Sequence, residues 1–226
     1  MGKYQIVINR LKALSKKNTA EYASEMMAHP FSEEEGWGFS DVLRVGDSIK
    51  AVLQKRISTY YNIWNEETQQ VEKQCFQIVT EVPFEMDFHQ GIIVADGTNT
   101  QLNRVKQAFR QIFWNEFVYE DINLMPVDYI TMLNEAGNFS SIEEVSIKDF
   151  QFEDCMIGRY NAKLTSQLNI IEKLGEHAKN IIRVKIRINL SGEDGLLSVS
   201  NRNVLILDSS EDAIEEFVKF LKASLK

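Results

Sequence analysis

Cysteine, proline and histidine are scarce in this sequence of 226 residues, which holds two, three and three of them respectively. Cys75 and Cys155 are far apart and fall in no CxxC or metal-ligand spacing, so no disulfide framework is expected, and both read as buried thiols in a reducing cytoplasm. His29, His89 and His177 are isolated from one another and from both cysteines, which removes zinc-ligand spacing and any adjacent Cys-His pair. No run of about 18 apolar residues occurs, so no membrane-spanning helix is expected. The opening MGKYQIVINRLKALSKK is basic, but it is broken at Asn9 and Arg10 and is too short for the apolar region of a signal peptide.

The usual nucleotide cradles are missing as well: neither GxxxxGK[ST] nor GxGxxG occurs. No lysine has an acid two positions before it, so the (D/E)xK pattern of metal-dependent nucleases is absent. No arginine is followed five positions later by histidine, which removes RxxxxH, a helical-ribonuclease signature. Together these absences weigh against an enzyme. They leave no catalytic, cofactor-binding or metal-ligating residue to assign, and no cofactor is expected.

What is present suits a globular core: 44% of residues are hydrophobic and 10% aromatic. The net charge of -8 and the isoelectric point near 5.1 argue against a surface that is, as a whole, a footprint for nucleic acid or anionic lipid. A local basic patch remains compatible with that balance.

The clearest organisational signal is a pattern written twice. Laying residues 91–113 over residues 203–225 sets Asp96 on Asp208, Leu102 on Ile214, Val105 on Phe217 and Phe109 on Leu221. At the same displacement YQIVINRL meets EFVYEDIN, and a helical stretch follows each. In the first, Asn18 and Glu21 are spaced as a capping box and Pro30 ends the helix. In the second, Pro126 suits the first turn and Gly137 the stop. Residues 48–64 place Ile49, Val52, Leu53, Ile57, Tyr60, Tyr61 and Trp64 at helical spacing, which predicts a helix, with a counterpart in the stretch after Thr165. Each half then carries two strands, with a bend or an edge at Pro83 in the first and an SGEDG loop in the second, and closes with an amphipathic helix. The expected fold is therefore α+β, a mixed α/β protein of two pseudo-repeated βαβαββα units of about 113 residues packed together, residues 1–114 and 115–226.

Candidate chemistry rests on a few stretches. Asp96-Gly97-Thr98 resembles part of the phosphate-handling loop of haloacid-dehalogenase-like phosphatases, but Val94 stands where that chemistry needs a nucleophilic aspartate, so the resemblance implies no activity. The residues instead read as a turn in which Thr98 and Gln101 cap the next helix, with Ser209 and Asp212 doing the same in the second copy. The loop EEEGWGF offers Trp37 and Phe39 as an apolar anchor if they are exposed; otherwise they tuck into the core. In IIRVKIRINL, strand alternation places Arg183, Lys185 and Arg187 on one face, where with Arg202 and the basic opening segment they could track phosphates or meet an acidic partner. The same charges could equally keep an edge strand from pairing.

These features point to a non-catalytic protein-binding protein, an inhibitor, adaptor or subunit of a larger assembly, with a protein partner and no membrane. The Ile/Asn/Lys/Glu-rich composition is of a kind common in bacterial and viral proteins, including those of conflict and defence systems. A nucleic-acid-binding module using the basic strand is the alternative from a second class. A hydrolase or nuclease built from acids gathered in space, such as Asp96, Asp208 and Glu72, is the alternative from a third.

Overall fold

The computed structural model describes residues 2–153, 156–164, 170–201 and 204–225. Cys155, Arg202 and the start of the helix expected after Thr165 lie outside the described residues. The first half of the chain runs β1 (Gly2–Ala13), α1 (Thr19–Met27), β2 (Trp37–Val45), β3 (Ser48–Asn65), β4 (Gln70–Asp87), β5 (Ile92–Asp96) and α2 (Asn99–Phe113). The second half runs β6 (Phe117–Asp121), α3 (Pro126–Glu135), β7 (Phe139–Glu153), β8 (Met156–Lys163), α4 (Ile170–Glu176), a single 3-10 turn, β9 (Ile181–Leu190), β10 (Glu193–Ser200), β11 (Val204–Ser209) and α5 (Glu211–Ser224). The protein is thus mixed α and β, with more sheet than helix, and the paired strands within each of its compact units are antiparallel. No helix among the described residues is long and apolar enough to cross a membrane.

The chain divides into two compact units, one formed by Met1–Arg10, Asp96–Thr100 and Tyr119–Lys226, the other by Leu11–Ala95 and Gln101–Val118. In the second of these, β2, β3, β4 and β5 pair in that order. Ile49, Ala51 and Leu53 alternate inward from β3, and Val82, Phe84 and Met86 do so from β4. Helix α2 lays Val105, Phe109 and Phe113 against them, so that the Phe109 ring stands 5.3 Å from Phe84 and 5.9 Å from Phe39. Helix α1 adds Tyr22, whose ring meets Phe113 edge-on at 5.3 Å. Its start is the expected capping box: Asn18 accepts from the Ala20 and Glu21 amides, and Glu21 accepts from the Asn18 amide.

The first unit is a sheet in the order β1-β11-β10-β9-β7-β8. One face is apolar: Ile142 and Val145 on β7, Val184, Ile186 and Ile188 on β9, Leu197 and Val199 on β10, and Leu205 and Leu207 on β11 are all buried. Helices α3 and α5 supply Tyr129, Leu133, Phe217 and Leu221 to this core. Pro126 opens α3 and Gly137, at a φ of +74°, lies just past its end, as expected.

Several expectations are corrected. Residues 48–64 are strand β3, so the first half reads βαββββα and the βαβαββα pattern fails there. Isoleucine, valine, threonine and the aromatics are strong strand formers, and β3 satisfies its backbone in an unbroken ladder with β4 from Ser48↔Asp87 to Asn65↔Gln70. Of the bend or edge expected at Pro83, the edge is what is found: Pro83 pairs with Val52 of β3 and lies just before Phe84, where pairing with β5 begins, so it can lack a donor without breaking β4. The SGEDG loop shrinks to a two-residue turn, Ser191-Gly192, both at positive φ, as a tight hairpin demands. Two strands, β10 and β11, come after that turn. Ser210, not Ser209, caps α5 by accepting from the Ala213 amide, since Ser209 is still paired in β11. Cys75 is an exposed thiol on β4.

Candidate functional site

The β3-β4 hairpin extends well past its own sheet. Strand β2 pairs with β3 only as far as Lys55, and β5 pairs with β4 only from Phe84. Between Ile57 and Val79 the hairpin is a two-stranded arm, roughly 30 Å long at about 3.4 Å per residue. Its tip is ordered by its own polar groups: Asn65 Oδ1 accepts from the Glu67 and Thr68 amides, and Asn65 Nδ2 and Thr68 Oγ1 both donate to Glu72 Oε1 at 2.9 Å. Those two donors, Asn65 before Thr68, hold the Glu72 carboxyl below the usual carboxylate range.

The arm exposes large apolar side chains among its polar ones. Tyr60, Tyr61, Trp64, Val71, Phe76, Ile78 and Val79 are each between 38% and 62% exposed. Register sorts them onto both sides of the ribbon, with Tyr61, Phe76 and Ile78 continuing the face that carries the core and Tyr60, Trp64, Val71 and Val79 on the opposite one. Tyr61 and Phe76 meet edge to face at 5.8 Å, and Lys73 Nζ lies 4.7 Å from the centre of the Tyr60 ring. A two-stranded ribbon in water is marginal by itself, and a concentration of exposed large apolar groups is the mark of an interaction surface.

The basic strand behaves differently from the expectation of an edge. Strand β9 is paired on both sides, by β10 and by β7, and Arg183, Lys185 and Arg187 do share its outward face. Two of the three are engaged: Arg187 Nε donates to Glu143 Oε1 at 2.9 Å, and Lys185 Nζ lies 3.8 Å from Glu144. Arg183 donates from Nε and Nη2 to the buried Ser198 hydroxyl, a neutral partner, and forms no ion pair among the described residues. On the neighbouring strands Arg159 and Lys163 of β8 join Arg183 around a hollow of about 370 Å³, with Glu144, Ser146 and Asn161. Sequence reasoning misses Arg159 and Lys163, although the alternation R-x-N-x-K in GRYNAK is the signal that could have placed them on one strand face.

The other proposed residues separate. Phe39 is buried 6.1 Å from Phe84, and Trp37 is half-buried with its ring edge-on to Phe39 at 6.0 Å, so the start of β2 packs inward and Phe39 has no surface to offer a partner. Gly38 between them is required by close approach, since a Cβ there would stand 2.3 Å from the backbone of Pro30 and Phe31. Among the acids, Asp96 accepts from the Tyr4 hydroxyl. Burial pushes its carboxyl up, with Tyr4 acting in the opposite direction. Glu72 belongs to the arm, and among the described residues no three or more His, Cys, Asp or Glu side chains gather where they could hold a metal ion. A separate charged network ties the chain between β1 and α1: Lys17 Nζ bridges Glu25 and Glu116 at 2.8 Å each, beside a hydrogen bond between Ser15 and the Tyr22 hydroxyl. It reads as structural.

Thr98 Oγ1 accepts from the Thr100 amide, which supports the capping role for Asp96-Gly97-Thr98 over a phosphate loop. Compared with models of known protein families and with curated proteins, the chain matches none.

Proposed function

We propose that this is a non-catalytic protein-binding protein that engages its partner through the β3-β4 arm. The carrying observation is the set of seven large apolar side chains exposed on both faces of that arm. Tyrosine and tryptophan are enriched at binding hot spots because they bury large areas and keep a polar edge. A partner with an apolar groove, closing over Tyr60, Tyr61, Trp64 and Phe76, would cover what the fold leaves open. The unpaired outer edges of the ribbon add backbone donors and acceptors for strand addition. An inhibitor, an adaptor and an assembly subunit all use such a surface.

The experiment is affinity purification from the native host of the wild type and of a Tyr61→Ser/Trp64→Ser variant, with nucleic-acid content measured alongside. A protein retained in stoichiometric amount by the wild type and lost by the folded variant supports the arm. Equal retention by both removes it.

The same reading includes the internal duplication. Both halves open β-α-β-β and close β-α, and Asn9 Nδ2 donates to Asp121 Oδ1 at 2.9 Å across a separation of 112 positions, the same displacement that relates Asp96 to Asp208. The opening strand of the first half pairs with the closing strand of the second, Gly2↔Ser209 through Val7↔Val204.

A further inference from the structure

The hollow on the outer face of β7, β8 and β9 is independent of the arm, and its chemistry is specific. Register places Lys163 beside Glu144 and Asn161 beside Ser146 across β7-β8, and Ser146 beside Arg183 across β7-β9, with Arg159 two positions before Asn161 on the same face. Arg159 and Lys163 form no ion pair among the described residues, and Arg183 is held by the neutral Ser198. Glu144 already shares its charge with Lys185 at 3.8 Å. Three cations therefore converge on about 370 Å³ with little to balance them. We propose that this hollow is a binding site for a small phosphorylated sugar, including the sugar-phosphate of a mononucleotide.

Each polar lining group has a part. A phosphate monoester brings a charge of about -1.5 to -2 and three acceptor oxygens, more than a lone carboxylate offers to three cations. Arg183 is preorganised: with Nε and Nη2 directed at Ser198, its remaining N–H groups form the donor fork that suits phosphate. Arg159 and Lys163 close the other side. The Ser146 hydroxyl donates to Asn161 Oδ1 at 2.6 Å, which fixes the amide so that Nδ2 keeps both hydrogens for a ligand. Glu144 is the acceptor for sugar hydroxyls. The volume is near the lower end of the roughly 300–1,000 Å³ of small-molecule sites. Among the described residues no aromatic side chain lines it, and a stacking platform of the kind on which single-stranded nucleic acid is held is not among them. A small ligand fits these facts better than a polymer.

Thermal shift and calorimetric titration of the full chain at low ionic strength, using inorganic phosphate, ribose 5-phosphate, ribose and a short single-stranded oligonucleotide, test the assignment. Ribose 5-phosphate is expected to bind and to raise the melting temperature, phosphate to do so more weakly, and ribose not at all. Arg159→Gln and Lys163→Gln, which break no ion pair among the described residues, and Arg183→Gln should each weaken ribose 5-phosphate binding by roughly ten- to a hundredfold. No binding of ribose 5-phosphate, equal binding by the folded Arg159→Gln and Lys163→Gln variants, or an oligonucleotide that binds far more tightly than ribose 5-phosphate would overturn it. The last outcome would assign the face to nucleic acid instead.

Discussion

Two phenylalanines of one unit should respond to truncation to very different extents. Phe109 on α2 is 1% exposed, and its ring lies between 5.3 and 5.9 Å from those of Phe39, Phe84, Phe113 and Phe117. Phe109→Ala removes the centre of that cluster and leaves a cavity bounded by helix and sheet that cannot collapse freely, a loss of about 3–5 kcal/mol. For a chain of this length each kcal/mol moves the midpoint by about 2–4 °C, so the melting temperature should fall by roughly 6–20 °C. Phe76 on the arm is 39% exposed and, among the described residues, meets the Tyr61 ring alone. Phe76→Ala should cost about 1 kcal/mol, the value of one aromatic pair. Calorimetry and urea unfolding of both variants, with partner capture on Phe76→Ala, give the comparison. If Phe76→Ala lowers the midpoint as far as Phe109→Ala, the arm is core and its surface is not available for binding.

Three further outcomes are expected. Gly38→Ala should lower stability by about 3 kcal/mol, judged by urea unfolding, because the added Cβ meets backbone rather than a mobile side-chain end. The Glu116 carboxyl is held below its usual range, chiefly by Lys17, so its contribution is present above the unfolded-state value near 4.3 and is lost as pH falls through the lower folded value. Lys17→Met should remove about 1 kcal/mol at neutral pH and flatten stability against pH on the acid side; an unchanged acid limb counts against the network. Burial raises Asp96, so its charged form disfavours the folded state once pH exceeds the unfolded value. Asp96→Asn, which keeps an acceptor for Tyr4, should therefore hold or raise the neutral-pH melting temperature; a marked drop in thermal unfolding would show that the charge is needed.

The parts of this fold legible in the sequence are those set by local chemistry. Asn18 and Glu21 cap α1, Pro126 and Gly137 bound α3, and the apolar spacing of Val105, Phe109 and Phe113 marks the buried stripe of α2. The outward face of β9 was legible too, because strict alternation follows from a strand buried on one side only. The ion pairs that neutralise most of it were not, since Glu143 and Glu144 arrive from β7, some forty positions earlier, through a register that is shifted in this stretch. The same dependence on register hid the grouping of Arg159 and Lys163 with Arg183.

The largest misreading, a helix at residues 48–64, has a physical cause that bears on function. A half-buried strand shows alternation because one face meets a core and the other meets water. Strand β3 obeys that rule at Ile49, Ala51 and Leu53, where α2 and β4 form the core. Beyond Lys55 no residue of the ribbon is buried until Val82 among the described residues, yet apolar residues continue on both sides of it, Ile57 and Tyr61 on one and Tyr60 and Trp64 on the other. A two-sided apolar strand loses its period of two, and what remains mimics helical spacing. Solvent alone gives no reason to place tyrosine, tryptophan, valine and isoleucine on both faces of an exposed hairpin, since such surface invites aggregation. If the arm binds a partner as proposed, the segment where pattern and fold part company is the segment fitted to that partner, and a partner that covers both faces of the arm would account for the composition of each.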